Sequence, residues 1–192
     1  MSPFFYTIFI QFVMKNPWKK LGSKLVYSNP WISVEEHQVI TPAGGESIYG
    51  KVHFKNKALA IIPIDQENHT WLVGQFRYTL DEYTWEIPMG GGPVGESLLD
   101  NAKRELKEET GLTAAKWTEI LRLHTSNSVA DEESFVFLAE ELTLGEPEFE
   151  ETEDLEIVRL PFSEALEMVK EGKITDAISV AGLLRAATLL DV

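Results

Sequence analysis

The chain has 192 residues, 44% of them hydrophobic and none of them cysteine, and its 17 Lys and Arg against 31 Asp and Glu leave a formal net charge of −14. Length and apolar content suit one ordinary domain with a small appendage and argue against disorder, while the missing thiols exclude disulfides, thiolate metal sites and a cysteine nucleophile and fit a reducing, cytoplasmic setting. The acidity argues against non-specific binding to nucleic acid or to an anionic membrane, both of which need clustered Lys and Arg.

Residues 1–13, MSPFFYTIFIQFV, are apolar but too short to cross a bilayer, and they lack a basic start or a small-residue cleavage site. Met14 opens a polar MKNPWKK start, so translation is expected to begin there, with 1–13 an upstream extension and 1–22 together preceding the folded part. From Ser23 the pattern is strand-like: LVYS, then WISVEEHQVI, a turn at Thr41-Pro42-Ala43-Gly44-Gly45, and ESIYGKVHF. These predict a small antiparallel sheet of three strands over residues 23–56, ahead of a main domain at 57–192. A second series follows, with ALAIIPI, the turn DQENH, TWLVGQFRY and YTWEIP.

After a glycine loop at 90–92, residues 97–110 read as a helix with Leu98, Leu99, Ala102 and Leu106 as its apolar stripe and Gly111 as its stop. Strands are expected at 117–124 and 134–139, then an acidic loop, then the strand LEIVRLP. Ser163 is the expected cap of a helix ending near Gly172, and Thr175 or Asp176 the start of a last helix rich in Ala and Leu. The order predicts an α+β architecture, a mixed sheet sandwiched by helices with an N-terminal antiparallel β appendage.

Chemistry concentrates between Gly90 and Leu112. Helical spacing places Glu105, Glu108 and Glu109 on one face, where three carboxylates repel one another unless a cation joins them. Hard oxygen ligands of this kind suit Mg²⁺ or Mn²⁺, and the glycines leave a backbone carbonyl able to approach a ligand. An exposed helix with an Asp100–Arg104 salt bridge, its glutamates tolerated in water, fits the same composition.

The spacing itself is more specific. Gly90, five residues, Glu96, seven residues, then Arg104-Glu105-Leu106-Lys107-Glu108-Glu109-Thr110-Gly111-Leu112 resembles the Nudix box at all nine defined positions of its 23 residues. The resemblance implies an α/β/α sandwich that hydrolyses a nucleoside diphosphate linked to another moiety with the help of divalent cations. Glu105, Glu108 and Glu109 would then be metal ligands, joined by the carbonyl of Met89 or Gly90. Arg104 would orient the carboxylates, Glu96 would support them, and Gly91 would face the substrate.

Outside the box the chain is similar to the ADP-ribose pyrophosphatase and nucleoside diphosphate sugar hydrolase branch. The similarity lies in the β appendage, in Gly74-Gln75-Phe76-Arg77-Tyr78 with Trp85-Glu86-Ile87-Pro88, and in Gly172-Lys173-Ile174-Thr175-Asp176-Ala177. It implies a homodimer with strand-exchanged N-terminal subdomains and a shared site. One departure stands out: the ADP-ribose-specific members carry a proline past the box where this chain has Asn127, which points to a broader range including UDP- and GDP-sugars.

Arg77 is the expected grip on the diphosphate or terminal ribose, against the alternative of a surface ion pair. Trp31, and after it Tyr27, are placed to stack on a nucleobase, with core or dimer packing as the alternative; Trp85 is assigned to the core and the four histidines to structure or surface. The residues from 131 to 156 include twelve acids and no base, and in this branch the general base lies on such a loop: Glu153 matches best and Glu151 next. Two rivals remain at this stage, a Nudix-fold module that senses nucleotide sugars without cleaving them and a hydrolase of dinucleoside polyphosphates or RNA 5′ ends.

Overall fold

The computed structural model describes residues 15–148 and 154–190. The extension at 1–13, the Met14 start, and Glu151 and Glu153 therefore lie outside the described residues. Three strands, β1 (Lys19–Ser28), β2 (Ile32–Ile40) and β3 (Glu46–Phe54), form the antiparallel appendage in the order β1-β2-β3. The Thr41–Gly45 turn closes its second hairpin, with Gly44 at φ 90°.

The second strand series divides between two sheets. β4 (Asn56–Pro63) is central in a mixed sheet ordered β7-β4-β9-β8, antiparallel to β7 (Met89–Pro93) and parallel to β9 (Ser134–Thr143), with β8 (Thr113–Leu123) at the edge. β5 (His69–Arg77) pairs with β6 (Glu82–Glu86) and with β10 (Glu156–Pro161) in a separate sheet. The helices are α1 (Leu98–Thr110), α2 (Phe162–Lys170) and α3 (Ala177–Leu190).

The run ALAIIPI is apolar throughout because β4 is covered on both faces. Leu59 and Ile61 pack with Ala102, Leu106 and Leu112 on the α1 side. Ala60 and Ile62 pack with Ile178, Leu183 and Ala186 on the α3 side. Leu106, with no exposed surface, is worth about 1.5–3 kcal/mol by burial alone. Ser97 caps α1 by accepting from the Asp100 amide at 3.2 Å, and Gly111, at φ 73°, ends it with its N–H on the Lys107 carbonyl at 2.8 Å.

Several local expectations need correction. The glycine run expected as a loop is strand β7, because its bare backbone pairs with the side of β4 opposite β9 while Glu105, Asn101 and Leu59 crowd against it. Ser163 does not cap α2: the helix begins at Phe162 after Pro161, whose fixed φ of −53° starts it without a side-chain bond. β8 starts at Thr113 and β9 runs on to Thr143, since the two pair along their whole lengths. Asp176 does open α3, its carboxylate accepting from the Ser179 amide at 2.7 Å. Among the described residues no helix is long and apolar enough to cross a membrane.

Candidate active site

The site forms where α1 lies over β7. Gly90 is paired with Leu59 of β4, and a Cβ at Gly90 would fall 2.1 Å from Glu105 Cδ, so the Glu105 carboxylate occupies the space a side chain would fill. Glu105 and Glu109 are buried at 8% and 3% exposure. The Met89 amide donates to Glu109 Oε2 at 2.9 Å. Arg104 donates to Glu105 Oε1 at 2.6 Å, to Glu108 Oε2 at 2.5 Å and to the Gly91 carbonyl at 3.1 Å. Asp100 pairs with Lys103 instead, at 3.9 Å, which leaves Arg104 to the box.

Desolvation pulls the Arg104 pKa down, but the charges and hydrogen bonds of Glu105 and Glu108 outweigh it and raise it above the ordinary arginine value. Arg104 thus stays a permanent cation tying two box carboxylates to the glycine strand. Glu96 enters through Asn101, whose side-chain amide donates to it at 3.2 Å and to the Ser97 carbonyl at 3.0 Å. Set against three carboxylates, Arg104 contributes a single positive charge, and the donor atoms are hard oxygens. The residues fit a divalent cation such as Mg²⁺ or Mn²⁺.

Beside the box lies Arg77. It forms a two-pronged pair with Glu86, Nε to Oε1 at 2.9 Å and Nη2 to Oε2, and Thr84 donates to Glu86 Oε1 at 2.7 Å. Burial pushes the Glu86 carboxyl up, and the hydrogen bonds from Arg77 and Thr84 prevail and hold it below its usual range. The Arg77 pKa is raised, by the Glu86 hydrogen bond first and also by the charges of Asp176 and Glu109. The ion pair lines a cavity of about 500 Å³ together with Phe54, Glu132 and Asp176.

The structure therefore gathers Met89, Gly90, Gly91, Arg104, Glu105, Glu108 and Glu109 in one place, attaches Glu96 to it, and sets Arg77 alongside. Trp31 and Tyr27 stand apart at the β1–β2 hairpin, 66% and 54% exposed, and neither lines the cavity beside Arg77. The histidines take ordinary polar partners, His37 on Glu35 and His53 on Asp131, each at 2.7 Å. Asp65, Glu67 and His69 do converge, within 4.8 Å, at the far end of β5, but Arg159 already binds both acids at 2.6 Å.

Glu86 and Asn101 escaped the sequence reading. Alternation along β6 turns Thr84 and Glu86 inward, and a buried acid two residues before Pro88 needs a cation, which was a signal for Glu86. Asn101 carried none, since its role depends on the turn that precedes α1.

The comparisons agree with this geometry. The NUDIX domain model matches residues 54–179, and the model described as the nucleoside diphosphate sugar hydrolase N-terminal domain matches residues 18–52. The chain is 35% identical over 161 residues to the ADP-ribose pyrophosphatase of Bacillus subtilis (strain 168), covering 83% of this chain and 86% of that protein. It is 33% identical over 174 residues to the ADP-ribose pyrophosphatase of Mycobacterium tuberculosis (strain ATCC 25618 / H37Rv), covering 88% and 83%. In fold it is similar to the crystal structure of an ADP compounds hydrolase, with a TM-score of 0.82 at 24% identity over 91% of this chain and 94% of that one. A glutamate-bearing helix docked on a glycine strand, inside a domain that matches the family over most of its length, leaves one assignment: the chain belongs to the Nudix hydrolase family.

Proposed function

We propose that the protein hydrolyses the diphosphate bond of nucleoside diphosphate sugars, ADP-ribose and related UDP- and GDP-sugars, with Mg²⁺ or Mn²⁺, giving a nucleoside monophosphate and a sugar phosphate. The observation that carries this reading is the cluster of Glu105, Glu108 and Glu109, tied by Arg104 to the carbonyl of Gly91. The two relatives named ADP-ribose pyrophosphatase support the substrate class, and Asn127, in place of the proline of strict ADP-ribose enzymes, supports the broader range.

Glu105, Glu108, Glu109 and a carbonyl of Met89 or Gly90 would hold the cation, which when bound neutralises diphosphate oxygens and makes a water nucleophilic at neutral pH. Arg104 keeps the carboxylates in register, and Glu96 steadies the start of α1 through Asn101. Arg77, oriented by Glu86, binds the diphosphate or the neighbouring ribose. Glu153, with Glu151 second, accepts the proton of the attacking water. Most of the rate comes from positioning and charge, without a covalent enzyme intermediate.

Residues 23–56 serve in this reading as a dimerisation and base-binding subdomain and 57–192 as the hydrolase domain. In the homodimer the N-terminal subdomains exchange, and Tyr27, Trp31 and Gly91 complete the substrate site. The exposure of nine of the ten β1 residues supports a covering partner.

Incubation with a panel of nucleotide sugars, with a phosphatase to release phosphate from the products, tests the reading. Release with Mg²⁺ and none with a chelator is expected. Binding without release, or turnover confined to dinucleoside polyphosphates, overturns it.

A further inference from the structure

The cavity beside Arg77 bears on which sugars the site accepts, an inference that rests on the substrate class proposed above. It adjoins the box, because Glu86 in its wall stands three residues before Met89, whose amide donates to Glu109 Oε2 at 2.9 Å. Its volume of about 500 Å³ lies within the range of roughly 300–1,000 Å³ typical of small-ligand sites. With the diphosphate at the box, the group attached to it has this cavity as its neighbour.

The wall has an unusual charge balance for a site that receives an anionic substrate. Among the described residues Arg77 is its one cation, and Glu86 binds that cation through two nitrogens. Two further carboxylates line it, Glu132 and Asp176. Each is fixed by a local donor: Thr125 Oγ1 donates to Glu132 Oε2, and the Ser179 amide donates to Asp176 Oδ2. Carboxylates held in place in this way accept hydrogen bonds from sugar hydroxyls, Thr175 adds a hydroxyl of its own, and Phe54 supplies an apolar wall for the carbon face of a ring. A carboxylate or phosphate on the sugar would meet the like charges of Glu132 and Asp176, while the Arg77 charge is shared between Glu86 and the diphosphate.

We propose that this cavity seats the glycosyl group and selects uncharged polyhydroxy sugars over sugars bearing a carboxylate or phosphate, with Glu132 and Asp176 as the residues that set the choice. The selectivity arises as much from repulsion of the wrong group as from attraction of the right one.

The test compares kcat/KM within matched pairs: UDP-glucose with UDP-glucuronate, and ADP-ribose with ADP-ribose 1″-phosphate. The native enzyme is expected to favour the neutral member by roughly ten- to a hundredfold, the penalty for like charges a few ångströms apart in a partly screened site. Glu132→Gln and Asp176→Asn keep shape and local hydrogen bonds, Asn being as good a helix cap as Asp. Each should narrow the gap by lowering KM for the charged member, whereas a structural defect would reduce turnover of both members alike. Equal use of both members by the native enzyme overturns this inference and leaves the hydrolase reading standing, and a parallel loss on both in the variants overturns the role of Glu132 and Asp176. Turnover of neither member in either pair overturns the substrate class and this inference with it.

Discussion

At Gly90 the proposed metal-binding cluster depends on an absent methyl group. The Glu105 carboxylate fills the volume where a Cβ would stand, so Gly90→Ala should displace that carboxylate while β7 keeps its pairing to β4. Activity is expected to fall about 10–100-fold, the range for losing a group that orients metal ligands, and rescue by a higher Mg²⁺ concentration would locate the damage in cation binding. Gly45→Ala, whose Cβ would meet only Thr41 at 3.8 Å, is the control. Glu109→Gln goes further. It removes one of the proposed ligands yet retains an acceptor for the Met89 amide, so kcat should drop by more than about 100-fold with an unchanged circular dichroism spectrum. Near-native turnover would refute the ligand assignment.

Between elements, the decisive joint is the one that fastens β3 to the loop at 126–131. Val52 exchanges backbone hydrogen bonds with Val129 and Asp131 at 2.8 and 3.1 Å. The Asp131 carboxylate accepts from the Phe54 amide at 3.0 Å and from Lys51 and His53 at 2.7 Å each. Burial pushes the Asp131 carboxyl up, and these donors prevail and bring it down to about 2. A depressed acid contributes stability that is full above its ordinary pKa of 3.8 and is lost as pH falls through the folded value. Asp131→Asn should therefore cost about 1–2 kcal/mol at pH 7 after allowance for solvent screening. Urea denaturation of both proteins should show the difference vanishing between about pH 4 and pH 2. None of this joint was visible in the sequence, where Asp131 was one acid in a run of twelve. Elements with strong local signals were legible, among them α1 with its Ser97 and Gly111 ends, the two-sided strand β4 and the box. Strand β7 and the start of α2 were not, because pairing with β4 and the ring of Pro161 decided them against glycine's loop preference and serine's capping preference.

For the whole molecule, the appendage presents an apolar strand to its surroundings. Leu21, Leu25, Val26 and Tyr27 of β1 are all more than half exposed, on an edge strand whose backbone invites pairing. Sedimentation equilibrium is expected to give twice the chain mass, and Leu25→Lys with Val26→Asp should return it to a single chain. A native protein sedimenting as one chain would refute the exchanged homodimer. The Nudix assignment was legible here because its spacing is local and demanding, whereas the cavity walls draw on Phe54, Arg77, Glu132 and Asp176, which only tertiary folding brings together.

Along the chain, the appendage and the hydrolase core are joined by a single residue: β3 ends at Phe54, β4 begins at Asn56, and Lys55 alone stands between them. A tether that short has no slack. The first residues of β4, Asn56 to Ala60, are also those paired with Met89–Pro93, so any force on the appendage arrives at the glycine strand one residue later. In the proposed homodimer, assembly and catalysis would share one mechanical axis, so loosening of the subunit contact would reach the strand beneath the glutamates.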